Sequence, residues 1–143
     1  MKKILLILLL STAYNATAQN LHLYGGADYT EYLGCLDCSR FDSKSIWNAF
    51  GDYGSSFSNT SIWNDYNNYG DPNKKLSPWN EITNTPPKIL DDKGKFLGYL
   101  TANTSLKERS LTRLATELVK NYKVIPKDLG KWYKKLITDY SKL

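Results

Sequence analysis

Between residues 45 and 82 the apolar positions follow neither the two-residue alternation of a strand nor the 3.6-residue rhythm of a long helix. They recur every 16 residues: Ser45-Ile46-Trp47-Asn48, Ser61-Ile62-Trp63-Asn64 and Ser77-Pro78-Trp79-Asn80 keep every offset. Phe50, Tyr66 and Ile82 extend the match through all copies, and Tyr53-Gly54 and Tyr69-Gly70 through the first two. Such internal periodicity sets the architecture before any other signal does.

Each copy reads as one capped helical turn followed by a polar Gly/Ser/Asn loop. Serine is a good N-cap, and Pro78 follows Ser77 as proline does at a first helical position. In a helical turn Trp47 and Phe50 share a face. Gly51 and Asn67 tolerate the left-handed conformation that ends a helix, whereas Thr83 breaks that rule. A strand remains an alternative, because period alone does not assign a short apolar run. The Trp row reads first as core, one large anchor per copy on a shared surface, and second as an exposed ligand platform.

The flanks read differently. Leu21 to Tyr24 and Tyr29 to Leu36 are strand patterns around the turn cluster Gly25-Gly26-Ala27-Asp28. Ile89-Leu90 and Lys95 to Thr101 form a second such pair around Asp91-Asp92-Lys93-Gly94. Tyr32-Leu33-Gly34-Cys35-Leu36 matches Phe96-Leu97-Gly98-Tyr99-Leu100 at an offset of 64, four periods of 16. Gly34 and Gly98 inside strands suggest bulges. Towards the C-terminus, Leu111, Leu114, Ala115, Leu118, Val119 and Tyr122 trace one amphipathic stripe, with starts at Ser105 or Ser110. Pro126 opens a last helix whose stripe is Leu129, Trp132, Leu136 and Tyr140. The expectation is an α+β fold: a small antiparallel sheet from hairpins 20–36 and 88–101, repeats over 45–82, and helices over 106–142.

Met1–Ala18 has the layout of a secretory signal: Lys2-Lys3, the apolar run Ile4 to Leu10, and Ala16-Thr17-Ala18 as a cleavage site. The run is far short of the ~20 residues of a membrane helix. The expected mature chain is a single domain, 19–143, exported to the periplasm or beyond. It holds 17 basic and 14 acidic residues, a net +3. Residues 19–104 carry 7 basic against 10 acidic groups, and residues 105–143 carry 10 against 4. The basic C-terminal part is first a solvated helix face and second a surface for an anionic partner.

Tyr32 to Cys38, the three Ser-x-Trp-Asn copies, Tyr53-Gly54-Ser55 and Phe96 to Asn103 together resemble a family of uncharacterised exported bacterial proteins. The resemblance covers about half of the mature chain and leaves out the basic C-terminal helices. Asn67 and Asp71 depart from it in the second copy. It implies secretion and repeat architecture, and carries no catalytic residue.

Cys35 and Cys38 are the only cysteines. In an oxidising compartment they pair as a disulfide, the reading preferred here. A redox motif needs a βαβ context that the chain does not offer, a structural zinc site needs a fourth ligand beyond these two and His22, and two buried thiols are the remaining alternative. His22, the sole histidine, alternates with Leu21 and Leu23 and is expected to face solvent. No nucleophile elbow accompanies it. Asp52, Asp65 and Asp71 sit in Asn-rich loops without calcium-loop spacing, and Asp91-Asp92 lies in a turn. Interleaved Tyr, Asn and Ser suit a recognition surface, with Tyr53, Tyr66 and Tyr69 as candidate binding residues. Trp47, Asn48, Trp63, Asn64, Trp79 and Asn80 are assigned to the repeat scaffold. The functional expectation is a secreted, non-catalytic binding or structural domain at the bacterial cell envelope. Its partner would be an envelope glycan or another envelope protein, with no cofactor and no metal. The alternative is an exported hydrolase whose acidic catalytic residues are not identifiable. Nucleic acid fits poorly, because the positive charge is modest and confined to the last helices.

Overall fold

The computed structural model describes residues 19–139. The expected leader, 1–18, and Tyr140 of the last stripe lie outside the described residues. The two hairpins form one antiparallel sheet from β1 (Leu21–Gly25), β2 (Glu31–Cys35), β3 (Lys88–Asp91) and β4 (Phe96–Tyr99), in the order β2-β1-β3-β4. The fold is α+β, with helices α1 (Arg113–Asn121) and α2 (Leu129–Tyr133) at the C-terminal end.

The relation across 64 residues is geometric as well as sequential. Gly34 and Gly98 both adopt positive φ, 110° and 104°, and the register slips in both β1–β2 and β3–β4. Cys35 N–H donates to Lys44 O and Cys35 O accepts from Ile46 N–H. Tyr99 makes the same pair of bonds with Glu108 and Ser110. A Cβ on either glycine would lie 3.1 Å from the Lys44 or Glu108 carbonyl oxygen, so the close strand crossing explains both glycines.

The repeats correct the helical-turn expectation. No helix forms among residues 36–87; the chain advances instead by linked β-turns. Backbone bonds close turns at Ser45–Asn48, Asn48–Gly51, Ser55–Ser58 and Ser58–Ser61, with a wider turn at Gly51–Ser55. The next coil repeats this from Ser61 through Asn64, Asn67, Asp71 and Lys74 to Ser77. Four three-residue steps and one four-residue step account for the 16-residue period. The polar residues at the turn starts do the folding locally. Oxygen atoms of Ser45, Asn48, Ser61, Asn64, Ser77 and Asn80 each accept the backbone N–H two residues on. Asn48, Asn64 and Asn80 also donate through Nδ2 to the carbonyls of Asp42, Ser58 and Lys74, one bond per coil. The serine and asparagine of the frame are therefore turn formers, and the serines do not cap helices.

Two glycines are fixed by the coil itself. A Cβ on Gly54 or Gly70 would lie 2.1 Å from the Asn48 or Asn64 carbonyl oxygen. This is the backbone contact that the repeated Tyr-Gly pair permits.

One core joins the layers. Leu23, Leu33 and Ile89 of the sheet, Ile46, Ile62 and the three tryptophans of the coils, and Ala115, Leu118, Ile125, Leu129 and Leu136 of the C-terminal segment form one buried cluster. Each indole Nε1–H donates into a neighbouring layer: Trp47 to Leu36 O, Trp63 to Ile46 O and Trp79 to Ile62 O, at 2.7, 2.7 and 2.8 Å. The coil stack is closed at both ends. The Leu36 loop lies below Trp47, and the segment after β4 covers the last coil through Ala102 N–H to Pro78 O and Asn103 Nδ2 to Thr83 O.

The C-terminal helices start later than expected. Thr112, rather than Ser105 or Ser110, caps α1 by accepting from Ala115 N–H. Residues 103–109 instead continue the linked turns that follow β4, so Leu111 precedes the helix and is exposed. A single 3-10 turn, Ile125–Lys127, separates α1 from α2, and α2 widens into a π turn over Lys134–Thr138. Among the described residues no helix is long and apolar enough to cross a membrane.

Candidate functional site

The linked turns sort the aromatic side chains of the repeats into an inner row and outer rows. Trp47, Trp63 and Trp79 are inside, at 2, 3 and 2% exposure. Their ring centroids are 6.3 and 5.7 Å apart, and the row is closed by Tyr133 against Trp47 and by Tyr122 stacked on Trp79 at 4.9 Å. Phe50, Tyr66 and Ile82, three residues further along, are outside at 99, 95 and 84%. Phe41 and Phe57 form a second outer row, again 16 apart, at 81 and 93%.

Between these rows and the C-terminal segment runs a band of three related grooves. In the first coil, Phe41, Phe50 and Phe57 face Pro126, Lys127 and Leu129 across about 360 Å³. In the second, Phe57 and Tyr66 face Lys123, Pro126 and Lys127 across about 270 Å³. In the third, Asn73 and Ile82 face Tyr122 across about 380 Å³. Trp47, Trp63 and Trp79 each contribute to the lining of one of the three grooves. Equivalent positions of the repeat thus build equivalent walls. A monomeric surface seldom exposes so many large apolar side chains in register without use.

The three tyrosines singled out by sequence separate. Tyr66 stands in the outer row. Tyr53 is half-buried, its ring edge-on to Tyr32 at 5.0 Å. Tyr69 is buried and donates its hydroxyl to Glu31 at 2.8 Å, so it is not a surface residue. Burial and then the Glu31 carboxylate hold its phenol well above the ordinary range. Sequence reasoning missed Phe41, Phe50, Phe57 and Ile82 as surface groups. The signal was present as the same 16-residue offset that found the tryptophans.

A second polar cluster lies on the sheet. His22 does not point freely into solvent. Its Nε2 lies 2.6 Å from Asp92 Oδ1 and its Nδ1 2.8 Å from the Tyr32 hydroxyl. With Asp92 accepting from Nε2–H, Nδ1 accepts from Tyr32 O–H. The other Asp92 oxygen accepts from Asn20 N–H. The His22 hydrogen bond, then that from Asn20, holds the Asp92 carboxyl below its usual range. Burial, then the neighbouring Tyr24 and Tyr53 phenols, pushes Tyr32 up, so Tyr32 stays a donor. These groups line an open groove of about 470 Å³ with Tyr24, Lys44 and Leu90. Both ring nitrogens of His22 are engaged within the protein.

Cys35 and Cys38 form a disulfide. Asp37 lies beside them, but the bonded sulfurs are not thiolates and leave no cysteine ligand for a metal. Asp37 accepts from Leu21 N–H at 2.8 Å, and burial raises its carboxyl above the ordinary range.

No protein-family model matches this chain, and no curated protein or solved structure matches it either.

Proposed function

We propose that the chain is an exported, non-catalytic binding domain of the bacterial cell envelope, and that the outer rows of the repeats are its contact surface for envelope glycan. The observation that carries this reading is the pairing of outward Phe41 and Phe57 with outward Phe50, Tyr66 and Ile82, in step with three equivalent grooves. Flat aromatic area beside amide and hydroxyl groups is the chemistry with which proteins stack on and hydrogen-bond to extended polar ligands. The signal-like N-terminal pattern supports export, and the disulfide suits an oxidising compartment.

Co-sedimentation with insoluble envelope glycans tests the surface. The mature domain should pellet with the glycan, and the Phe50→Ala/Phe57→Ala/Tyr66→Ala variant should stay in solution while retaining the native circular dichroism spectrum. Equal sedimentation of the two proteins would remove the outer rows from the account.

A second reading, an exported hydrolase, is favoured by one observation: the Asp92–His22–Tyr32 hydrogen-bond chain at the edge of an open groove. It requires that the Tyr32 oxygen attack an ester carbonyl while His22 Nδ1 takes its proton, that His22 return the proton to the departing alcohol as the ester bond breaks, and that water then cleave the tyrosyl ester. Release of product from envelope glycan or ester substrates by wild type, lost in His22→Ala, would establish it.

A further inference from the structure

We infer that the ligand of the outer rows is an acidic linear glycan, held at the first two coils with its carboxylate or phosphate groups against Arg40, Lys123 and Lys127. The inference rests on the reading of those rows as the contact surface and adds the charge of the ligand. Its basis is the placement of cations along the band. Arg40 and Lys127 line the groove of the first coil, and Lys123 and Lys127 that of the second. All three side chains are exposed, and none is paired with a carboxylate among the described residues. Arg40 lies over the Phe41 ring at 5.1 Å and Lys123 over the Tyr122 ring at 5.6 Å. These contacts hold a charge beside an aromatic face and leave its remaining donors free.

The first groove has no acidic lining residue, the second sets Asp65 against Lys123 and Lys127, and the third has Glu81. Position 49 of the first coil is Ala49, and its equivalents are Asp65 in the second and Glu81 in the third. Charge therefore runs from positive at the first coil to negative at the third. A ligand with stacking faces and spaced negative groups satisfies the first two grooves. A neutral glycan leaves the unpaired cations unused. A nucleic acid strand carries a charge at every residue and meets Asp65 and Glu81 unfavourably, whereas an acidic glycan with uncharged sugars between its acids does not.

Affinity electrophoresis of residues 19–143 in gels containing hyaluronate, in which charged and uncharged sugars alternate, or a neutral β-glucan tests this, with single-stranded oligonucleotide as a third arm. The acidic glycan should retard wild type about tenfold more strongly than the neutral one, and added salt should erase the difference. Lys123→Ala/Lys127→Ala should bring retardation by the acidic glycan down towards that by the neutral one and melt like wild type. Equal retardation by the two glycans, or an unchanged preference in the double variant, overturns the inference while leaving the contact surface in place. Failure to bind either glycan overturns both. Stronger retention by the oligonucleotide than by hyaluronate also overturns the acidic-glycan assignment.

Discussion

The inner and outer rows are built from residues of similar apolar character, three positions apart in the same repeat, and they meet opposite environments. Trp47 is the third residue of the turn Ser45–Asn48, and Phe50 is the third residue of the next turn, Asn48–Gly51. Each has its backbone N–H held by the side chain that starts its turn. The local geometry is alike, and the bend between the two turns sends one ring into the core and the other into solvent. Direction here follows the place of a turn within the coil. Hydrophobicity alone does not separate Trp47 from Phe50. The inner row has a partner for every polar atom, since each indole N–H finds a carbonyl of a neighbouring layer. Among the described residues the outer row has no such layer above it, and its rings are exposed.

The comparison is broken most severely by Trp63→Ala. Trp63 has a tryptophan on each side and donates into the coil below. Its loss should cost about 3–5 kcal/mol, the range for truncating a large buried aromatic. A thermal melt should show a fall of more than roughly 10 °C for a domain of this size. Trp79→Ala should be milder in its coil contacts, because Tyr122 stacks on its outer face.

Gly70→Ala comes next. The added methyl would meet the Asn64 carbonyl oxygen at 2.1 Å, and backbone has to move to admit it. Overpacking of this kind costs about 1–3 kcal/mol, and equilibrium denaturation should read that loss with the transition slope unchanged.

These two sites also mark how far the sequence could be read. The period, the pairing of hairpins across 64 residues, and the α+β architecture were legible, because Trp, Ser, Asn and Gly recur at fixed offsets. The linked turns were not. Ser-Ile-Trp-Asn closes an i to i+3 bond in a β-turn as it would in a 3-10 first turn of a helix, and the two are indistinguishable until the next step is known. That ambiguity placed Phe50 on the tryptophan face. The start of α1 was misplaced for a related reason: Ser105 to Glu108 has capping-box residues, but Asn103 and Thr101 bind that stretch into further turns. The His22–Asp92 pair was invisible because its partners are 70 residues apart and meet only through β1–β3 pairing.

Smaller effects sharpen the contrast. Phe50→Ala and Tyr66→Ala remove side chains that are almost fully exposed. Each should change stability by less than about 0.5 kcal/mol, as surface substitutions do. Melting temperatures close to wild type, measured beside Trp63→Ala, are the expected outcome.

The smallest effect lies away from the repeats. The Asp92 carboxyl is held below its ordinary value of 3.8, chiefly by His22. A depressed carboxylate contributes stability that is present above its unfolded pKa and lost as pH falls through the folded one. Denaturation between about pH 5 and pH 2 should therefore show a slightly steeper acid loss for wild type than for Asp92→Asn.

Hydroxyl-radical footprinting of residues 19–143, with and without acidic glycan, reads both rows at once. Phe50, Phe57 and Tyr66 should oxidise readily in the free protein and become protected on binding, while Trp47, Trp63 and Trp79 stay unreactive in both states. Rapid oxidation of the indoles, or outer rings left unprotected by bound glycan, would contradict the division of the repeats into a buried scaffold and an exposed contact surface.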